Sequence, residues 1–441
     1  MLDPAVKRLA CGAFALLSPL WVARPAWSQP QPEVQPVAAS AQAPAEPVAP
    51  APPEAVPSPA PAPSPAPAPS PIAPLVPAQP ASASADEAPQ MHFGGWAELY
   101  YAYNLNAPSN GLNATVPNSQ QHDHIGFNNL ALDLGWSFAR VRGRVVTQLG
   151  AIVAEAYPPA ATLARAQQEL LWRVLQEVTI GYEPRLLGRA PLLVEMGLFA
   201  VPFGVERVQI YKNWSWTSSN LFSMAPFQVT GVRARWTFND RLSVRAGIYS
   251  GWDRVIDDNN RLRSGMVEAR YAVGDDLDLT LKYMFGVERD SNAREGLWVR
   301  HTLDHTGEVR VGSRVRLRWQ AFGGLEPNRV GVSAWVGAAV YARVRIFEWL
   351  YAAGRLDAAY EWVPEGSVSL FDLNDASAYG SGTVTVEALP HAHLSLRVEY
   401  RHDVADGHLY YRNNVEVDPM RGAIRNAAYQ DILLAGVTAW F

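Results

Sequence analysis

Residues 227–252 read FQVTGVRARWTFNDRLSVRAGIYSGW. Two runs of strict alternation flank Asn239-Asp240, a dipeptide suited to a tight turn. In the first run Val232, Ala234, Trp236 and Phe238 share one face, and Arg233, Arg235 and Thr237 the other. In the second, Leu242, Val244, Ala246 and Ile248 oppose Ser243, Arg245, Gly247 and Tyr249. Side chains of a strand alternate between its two faces, so the stretch predicts an antiparallel hairpin with one apolar and one wet face. A water-soluble sandwich can contain the same hairpin. How often the pattern recurs decides between the two.

It recurs in both directions. Toward the N-terminus there are alternating runs at 96–104, 127–136 and 139–149, with less clean ones near 175–182 and 192–199. Toward the C-terminus they fall at 266–273, 276–283, 299–311, 314–320, 332–346, 350–361, 382–388, 393–403 and 431–441. That predicts about 16 strands (roughly 14–18), within the range of outer-membrane barrels. Asn239-Asp240, Gly274-Asp275, Gly312-Ser313, Phe347-Glu348 and Pro390-His391 mark short turns. The other connections, 107–125, 151–172, 201–226, 253–262, 291–296, 326–329, 364–378 and 405–428, are longer. Long loops on one side and short turns on the other are the habit of a transmembrane barrel, with both chain ends on the short-turn, periplasmic side.

Three features favour that barrel over a sandwich. The apolar faces carry aromatic residues near strand ends (Tyr101, Tyr103, Trp136, Trp236, Phe238, Tyr271, Tyr400), as an interfacial girdle requires. The series is too long for one sandwich. The chain also ends on Phe441, with Leu433, Ala435, Val437 and Ala439 in phase before it, a C-terminal strand resembling the recognition signal of Gram-negative outer-membrane barrels. In lipid a closed barrel satisfies every backbone polar group. The expected fold is an all-β, transmembrane, antiparallel up-and-down barrel over 91–441.

Outward from the barrel, the N-terminal part is different material. Residues 1–28 carry Lys7 and Arg8, an apolar run LACGAFALLSPLWV and then Ala26-Trp27-Ser28, the pattern of a secretory signal peptide. Cys11, the chain's one cysteine, stands at the start of the apolar run, the wrong place for lipid attachment. Residues 29–90 are dominated by Pro, Ala and Ser, and bury too little apolar surface to offset their ordering entropy. They are expected to form a disordered, semi-extended periplasmic spacer, read either as a passive linker or as a strut touching the cell wall.

A family resemblance enters at the third long connection and the strands beside it. Val201-Pro202-Phe203-Gly204-Val205-Glu206, Asn213-Trp214, Phe222-Ser223, Thr230-Gly231-Val232-Arg233, Gly251-Trp252-Asp253 and Leu396-Arg397-Val398-Glu399-Tyr400-Arg401-His402-Asp403 carry it. Together they resemble the OmpL-like family of β-barrel outer-membrane porins. Ser250 stands where that family often has Asn before Gly-Trp-Asp. The resemblance spans 92–441 and implies an outer-membrane pore. It supplies no ligand or catalytic residue to carry over.

If the apolar face meets lipid, the polar face lines a lumen wide enough for a water channel. The 201–226 connection is the candidate for narrowing it. Trp214 and Trp216 suit a wall better than water, and Glu206, Arg207 and Lys212 supply charge. The same connection could instead be an extracellular flap. Arg140, Arg142, Arg144, Arg233, Arg235, Arg245, Arg270, Arg310, Arg314, Arg316, Arg318, Arg343, Arg345, Arg355 and Arg397 fall on inward positions. Fewer acids accompany them there: Glu98, Glu268, Asp276, Asp278 and Glu308. Rings of charge in a narrow channel set ion preference, which suggests modest selectivity for anions. The competing reading is an Arg–carboxylate lattice that braces the wall and cancels itself.

Two other functions compete with a porin for small hydrophilic solutes or ions. One is a structural barrel tied to the cell wall by the spacer. The other is an outer-membrane enzyme, which needs a nucleophile, base and acid converging near strand tops. Of the nine histidines only His402 and His408, near Asp403 and Asp406, suggest such a cluster. His122 and His124 beside Asp123 read as a solvated loop rather than a metal site. No motif implies a cofactor, and there is no basic stripe for nucleic acid. The expected partners are outer-membrane lipid and lipopolysaccharide, the barrel-assembly machinery acting on the strand that ends at Phe441, and peptidoglycan through the spacer. A homotrimer is common for barrels of this size, although no strand carries a protein-facing signature.

Overall fold

The computed structural model describes residues 88–116, 118–155, 172–184, 191–200, 203–255, 259–419 and 422–441. The expected signal peptide and nearly all of the spacer lie outside these residues. The strands are β1 (Gln90–Asn104), β2 (His124–Phe138), β3 (Val141–Leu149), β4 (Leu175–Tyr182), β5 (Leu192–Ala200) and β6 (Gln228–Thr237). They continue as β7 (Leu242–Tyr249), β8 (Ser264–Val273), β9 (Leu277–Val287), β10 (Val299–Val311), β11 (Val315–Asn328) and β12 (Gly331–Phe347). Then come β13 (Leu350–Trp362), β14 (Ala378–His391), β15 (Leu394–Ala405), the short β16 (Val417–Asp418) and β17 (Gly422–Ala423), and β18 (Tyr429–Trp440).

Each of β1 to β14 pairs antiparallel with the next, β15 pairs with β18, and β18 returns to β1. The result is a closed barrel of sixteen strands. β16 and β17 form a separate two-stranded ribbon in the last long connection. Closure leaves the barrel without an edge. At the seam Trp96 faces Trp440 and Leu99 faces Val437, while Phe441 N donates to the Gly95 carbonyl (3.0 Å).

The β6–β7 hairpin shows how the local pattern becomes register. Val232 lies opposite Ile248, Ala234 opposite Ala246 and Trp236 opposite Val244. The Asn239 side chain closes the turn by accepting from the backbone N–H groups of Arg241 and Leu242 (both 2.9 Å). One expected connection is corrected. Residues 326–329 are not a long loop: β11 runs to Asn328 and β12 starts at Gly331. Gly323, Gly324 and Pro327 disguise the end of β11 by interrupting its apolar alternation.

The outer face is apolar and exposed, with Leu99, Leu132, Ile180, Ile248, Leu303, Leu356, Val384 and Val398 on it. Aromatic pairs stack near the strand ends, among them Trp236–Phe238 (5.7 Å) and Phe347–Trp349 (6.0 Å). Within the barrel wall Trp136 covers Gly143 and Trp319 covers Gly307, where a Cβ would come within 2.0 Å of the ring. No helix among the described residues is long and apolar enough to cross a membrane. The main packed core sits inside the lumen. Phe203, Trp214, Leu221 and Met224, from the connection between β5 and β6, pack there with Phe322, Trp335, Tyr341 and Tyr379 of the wall and Leu409 and Tyr410 of the last connection.

Candidate functional site

The connection from β5 to β6, described from Phe203 to Phe227, does not project away from the barrel. Phe203, Val205, Ile210, Trp214, Trp216, Leu221 and Met224 are buried, and such a density of apolar residues is stable only against other apolar surface. The loop leaves β5, touches the opposite wall at β13–β15, β18 and β1, and returns to β6. Along the way it makes a 3-10 turn (Ile210–Lys212) and one short helix (Asn220–Ser223).

Alternate residues of β15 grip it. Arg397 donates to the carbonyls of Ile210 and Asn213 (both 2.8 Å). Glu399, two positions on, accepts from the N–H groups of Trp216 (2.6 Å) and Thr217 (3.0 Å), and from the Thr217 hydroxyl. Arg401, two further, donates to the Ser218 carbonyl (2.5 Å). The inward alternation of cation, anion and cation is thus matched by backbone carbonyls, N–H groups and a carbonyl. On β13, Arg355 donates to the Thr217 carbonyl and to Glu206 (3.3 Å), while Asp357 accepts from Asn220 N (3.0 Å) and its side-chain amide (2.8 Å). On β1, Glu98 accepts from Ile210 N (2.8 Å), and on β10 Asp304 accepts from Gly204 N (3.1 Å). Charge-assisted bonds of this kind are each worth about 1.5–3 kcal/mol.

The two loop tryptophans have separate seats. Trp216 lies on Gly436 of β18, where an added Cβ would meet its ring at 2.2 Å, and its Nε1 donates to the Asn118 carbonyl (3.3 Å). Trp214 lies under the Arg318 guanidinium at 4.0 Å, a cation–π contact. Where the loop rejoins β6, Asp253 accepts from Phe227 N (2.5 Å) and Gln228 N (3.1 Å). Burial raises the Asp253 carboxyl to about 7 against those two hydrogen bonds. Glu206 is likewise raised by burial, opposed first by Arg355.

Arg207 and Lys212 are half-buried and lie toward the other side of the lumen. Burial first, then Arg318, lowers Arg207 to about 10. Burial first, then Arg144 and Arg207, lowers Lys212 to about 8, with Asp133 and Glu177 opposing.

The inward arginines fall into two groups. Along β2–β9 they remain half-exposed: Arg142 pairs with Glu183, Arg144 with Asp133 (2.6 Å) and Glu177 (3.0 Å), and Arg233 with Glu195 (2.8 Å). Arg245 pairs with Glu268 (3.2 Å) and Arg270 with Asp278 (2.6 Å), while Arg235 lies directly across from Arg245. Arg140 sits at the β2–β3 turn and donates to the Glu183 carbonyl (3.4 Å). At the β10–β11 end Arg314 is in an exposed turn, Arg345 donates to the Ser313 carbonyl (3.2 Å), Arg310 pairs with Asp275 (3.1 Å), and Arg316 with Glu308 (2.8 Å).

Arg318, Arg343, Arg355 and Arg397, expected on inward positions, form the second group. Each is buried: Arg318 pairs with Glu308 (2.8 Å), and Arg343 and Arg397 both hold Glu387 (2.5 and 2.6 Å). Arg355 and Arg397 are only 2% exposed because the loop lies on them. Expectation undercounted the acids. Glu195, Asp304, Asp357, Glu387, Glu399 and Asp403 are inward and buried as well. Glu399 was legible in the alternation of β15, whereas Glu195 belongs to one of the less clean runs.

The histidine cluster does not assemble. His402 pairs with Asp431 (2.8 Å), His408 pairs with Asp375 (2.9 Å), and Asp403 holds Arg401 inside the barrel. His122 accepts from Asn104 N (2.9 Å).

A family model described as "Putative beta-barrel porin-2, OmpL-like" matches residues 90–429. No curated protein is a significant match by sequence. Among solved structures, the outer membrane channel DcaP of Acinetobacter baumannii superposes with a TM-score of 0.53 at 10% identity, over 82% of this chain and 100% of that one. An anion-selective porin from Comamonas acidovorans gives 0.53 at 9% identity, over 80% and 100%. OmpT, an outer membrane protein of Vibrio cholerae, gives 0.49 at 9% identity, over 81% and 98%. At such identities the likeness is one of fold.

Proposed function

This chain belongs to the family of OmpL-like β-barrel porins, and on that premise we propose that it is a passive-diffusion pore for small hydrophilic solutes, with a preference for anions. The observation that carries the reading is the loop from β5 to β6. It crosses the lumen and is tied to the far wall by Arg355, Arg397, Glu399 and Arg401, so the remaining passage runs along β2–β9. That passage carries Arg142, Arg144, Arg233, Arg235, Arg245 and Arg270, joined by Arg207 and Lys212 from the loop. Its carboxylates, Asp133, Glu177, Glu183, Glu195, Glu268 and Asp278, are fewer. An excess of cations along a narrow low-dielectric passage raises the local anion concentration. On the same reading residues 1–28 direct secretion and 29–90 form a periplasmic spacer.

The test is single-channel recording of the purified protein in a planar bilayer, with a salt gradient to read the reversal potential. Steady open steps with an anion-directed potential are expected. A correctly folded barrel that conducts nothing would sink the pore reading.

A further inference from the structure

Excess arginine selects weakly when each guanidinium already holds a carboxylate. Along the passage Arg142, Arg144, Arg233, Arg245 and Arg270 are all so engaged. Lys212 differs. Its ammonium lies 5.4 Å from the centroid of the Tyr211 ring, and no carboxylate among the described residues lies within ion-pair distance of it.

Its position is nonetheless fixed. The turn that carries it is held at Ile210, whose N–H donates to Glu98 (2.8 Å) and whose carbonyl accepts from Arg397 (2.8 Å). Lys212 N donates to the Gln209 carbonyl (3.0 Å). The Asn213 side chain then ties the turn back to Arg207, accepting from its N–H (2.8 Å) and donating to its carbonyl (2.7 Å). Tyr211 is stacked on Trp440 at 4.8 Å, which fixes the residue next to Lys212 against the wall. A rigid mount therefore holds an unneutralised charge at the level where the loop narrows the lumen.

We propose that Lys212 is the specificity-determining charge of this pore, and that its protonation switches the preference for small anions on and off. The inference rests on the pore reading above. Protonated, the ammonium offers a passing anion an attraction that the paired arginines have already spent on carboxylates. Neutral, it leaves a wall whose charges largely cancel.

The groups facing it are Arg144 on β3, Asp133 on β2 and Glu177 on β4, with Arg207 and Tyr211 on its own loop. Burial and the two guanidinium groups outweigh the two carboxylates and lower Lys212 to about 8. A lysine is charged below its pKa. Anion preference is therefore full at pH 6.5 and lost as the pH rises through about 8. Removing one unit charge roughly 7 Å from an ion in near-aqueous surroundings changes anion entry about threefold.

The experiment is the reversal potential in a chloride gradient, from pH 6.5 to 9.5, for the wild type, Lys212→Arg and Lys212→Met. The wild type should lose anion preference through about pH 8. Lys212→Arg should keep the preference and flatten the profile, because arginine stays charged throughout. Lys212→Met should match the high-pH wild type at every pH. An unchanged potential in Lys212→Met, or a decline retained in Lys212→Arg, would overturn the role of Lys212 while leaving the pore intact. A wild type with no conductance, or with a cation-directed potential at pH 6.5, would overturn the pore or anion reading and this inference with it.

Discussion

The two sides of the lumen wall are built from the same alternation of apolar and charged residues, yet they do different work. On β13 and β15, Arg355, Arg397 and Arg401 have side chains 0–1% exposed and spend their donors on the backbone of the crossing loop. On β3, β6 and β8, Arg144, Arg233 and Arg270 have side chains 15–28% exposed and pair with carboxylates beside water. The difference lies in what covers them. A buried guanidinium without partners costs several kcal/mol, so those under the loop are satisfied by it and position it in return. Those left uncovered are partly hydrated and are held by carboxylates of the neighbouring strands.

The comparison can be broken hardest at β15. Arg397→Met would break the buried pair with Glu387, leaving that carboxylate to Arg343 and Ser395, and would remove the guanidinium that ties the carbonyls of Ile210 and Asn213 to the wall, at a cost of about 3–5 kcal/mol for breaking a buried ion pair. It should release the loop, seen as a rise in single-channel conductance with a lowered thermal midpoint in detergent. An unchanged conductance would mean that the loop holds its place without β15. Next in size is Gly436→Ala. The added methyl would strike the Trp216 ring and displace it, at about 1–3 kcal/mol for overpacking. Loss of tryptophan fluorescence burial is the readout, and an unperturbed spectrum would count against Trp216 resting on β18.

On the wet side the same kind of change should matter less for stability. Arg270→Gln breaks the pair with Asp278, where water can replace the partner, and should cost about 1 kcal/mol or less while reducing anion preference. A cost equal to that of Arg397→Met would erase the distinction between the two sides. The smallest expected effect is at the loop's exit. The Asp253 carboxyl, raised in the folded protein to about 7, binds a proton there that it has lost in the unfolded chain above the ordinary carboxylate range. Its contribution to stability is therefore present at acid pH and declines as the pH rises toward 7. Asp253→Asn keeps an acceptor for Phe227 N and Gln228 N without the charge, so it should remove that part of the pH dependence. Thermal unfolding from pH 4 to 8 compares the two, and identical profiles would count against a buried, titrating carboxyl.

The hairpin at 227–252 was legible almost to the residue, because period-two alternation and an Asn-Asp turn are local signals. The end of β11 was not: Gly323, Gly324 and Pro327 break the alternation, and the strand persists there because β10 and β12 pair with it on both sides. At the site, burial of Trp214 and Trp216 followed from their residue type. That Arg355 and Arg397 would lie beneath the loop did not, since nothing near them in sequence refers to it.

The amino-acid sequence by itself determined which side chains point outward and which inward, because the alternation that sets this is carried by each strand alone. It also determined how often the chain crosses, through the recurrence of that alternation. Which inward charges stay wet was decided only in the folded barrel. Trp216 and Glu399 lie 183 residues apart and meet because closure brings β15 to face the loop leaving β5. A charge's partners at such separations are a property of closure and docking, and no short-range pattern records them.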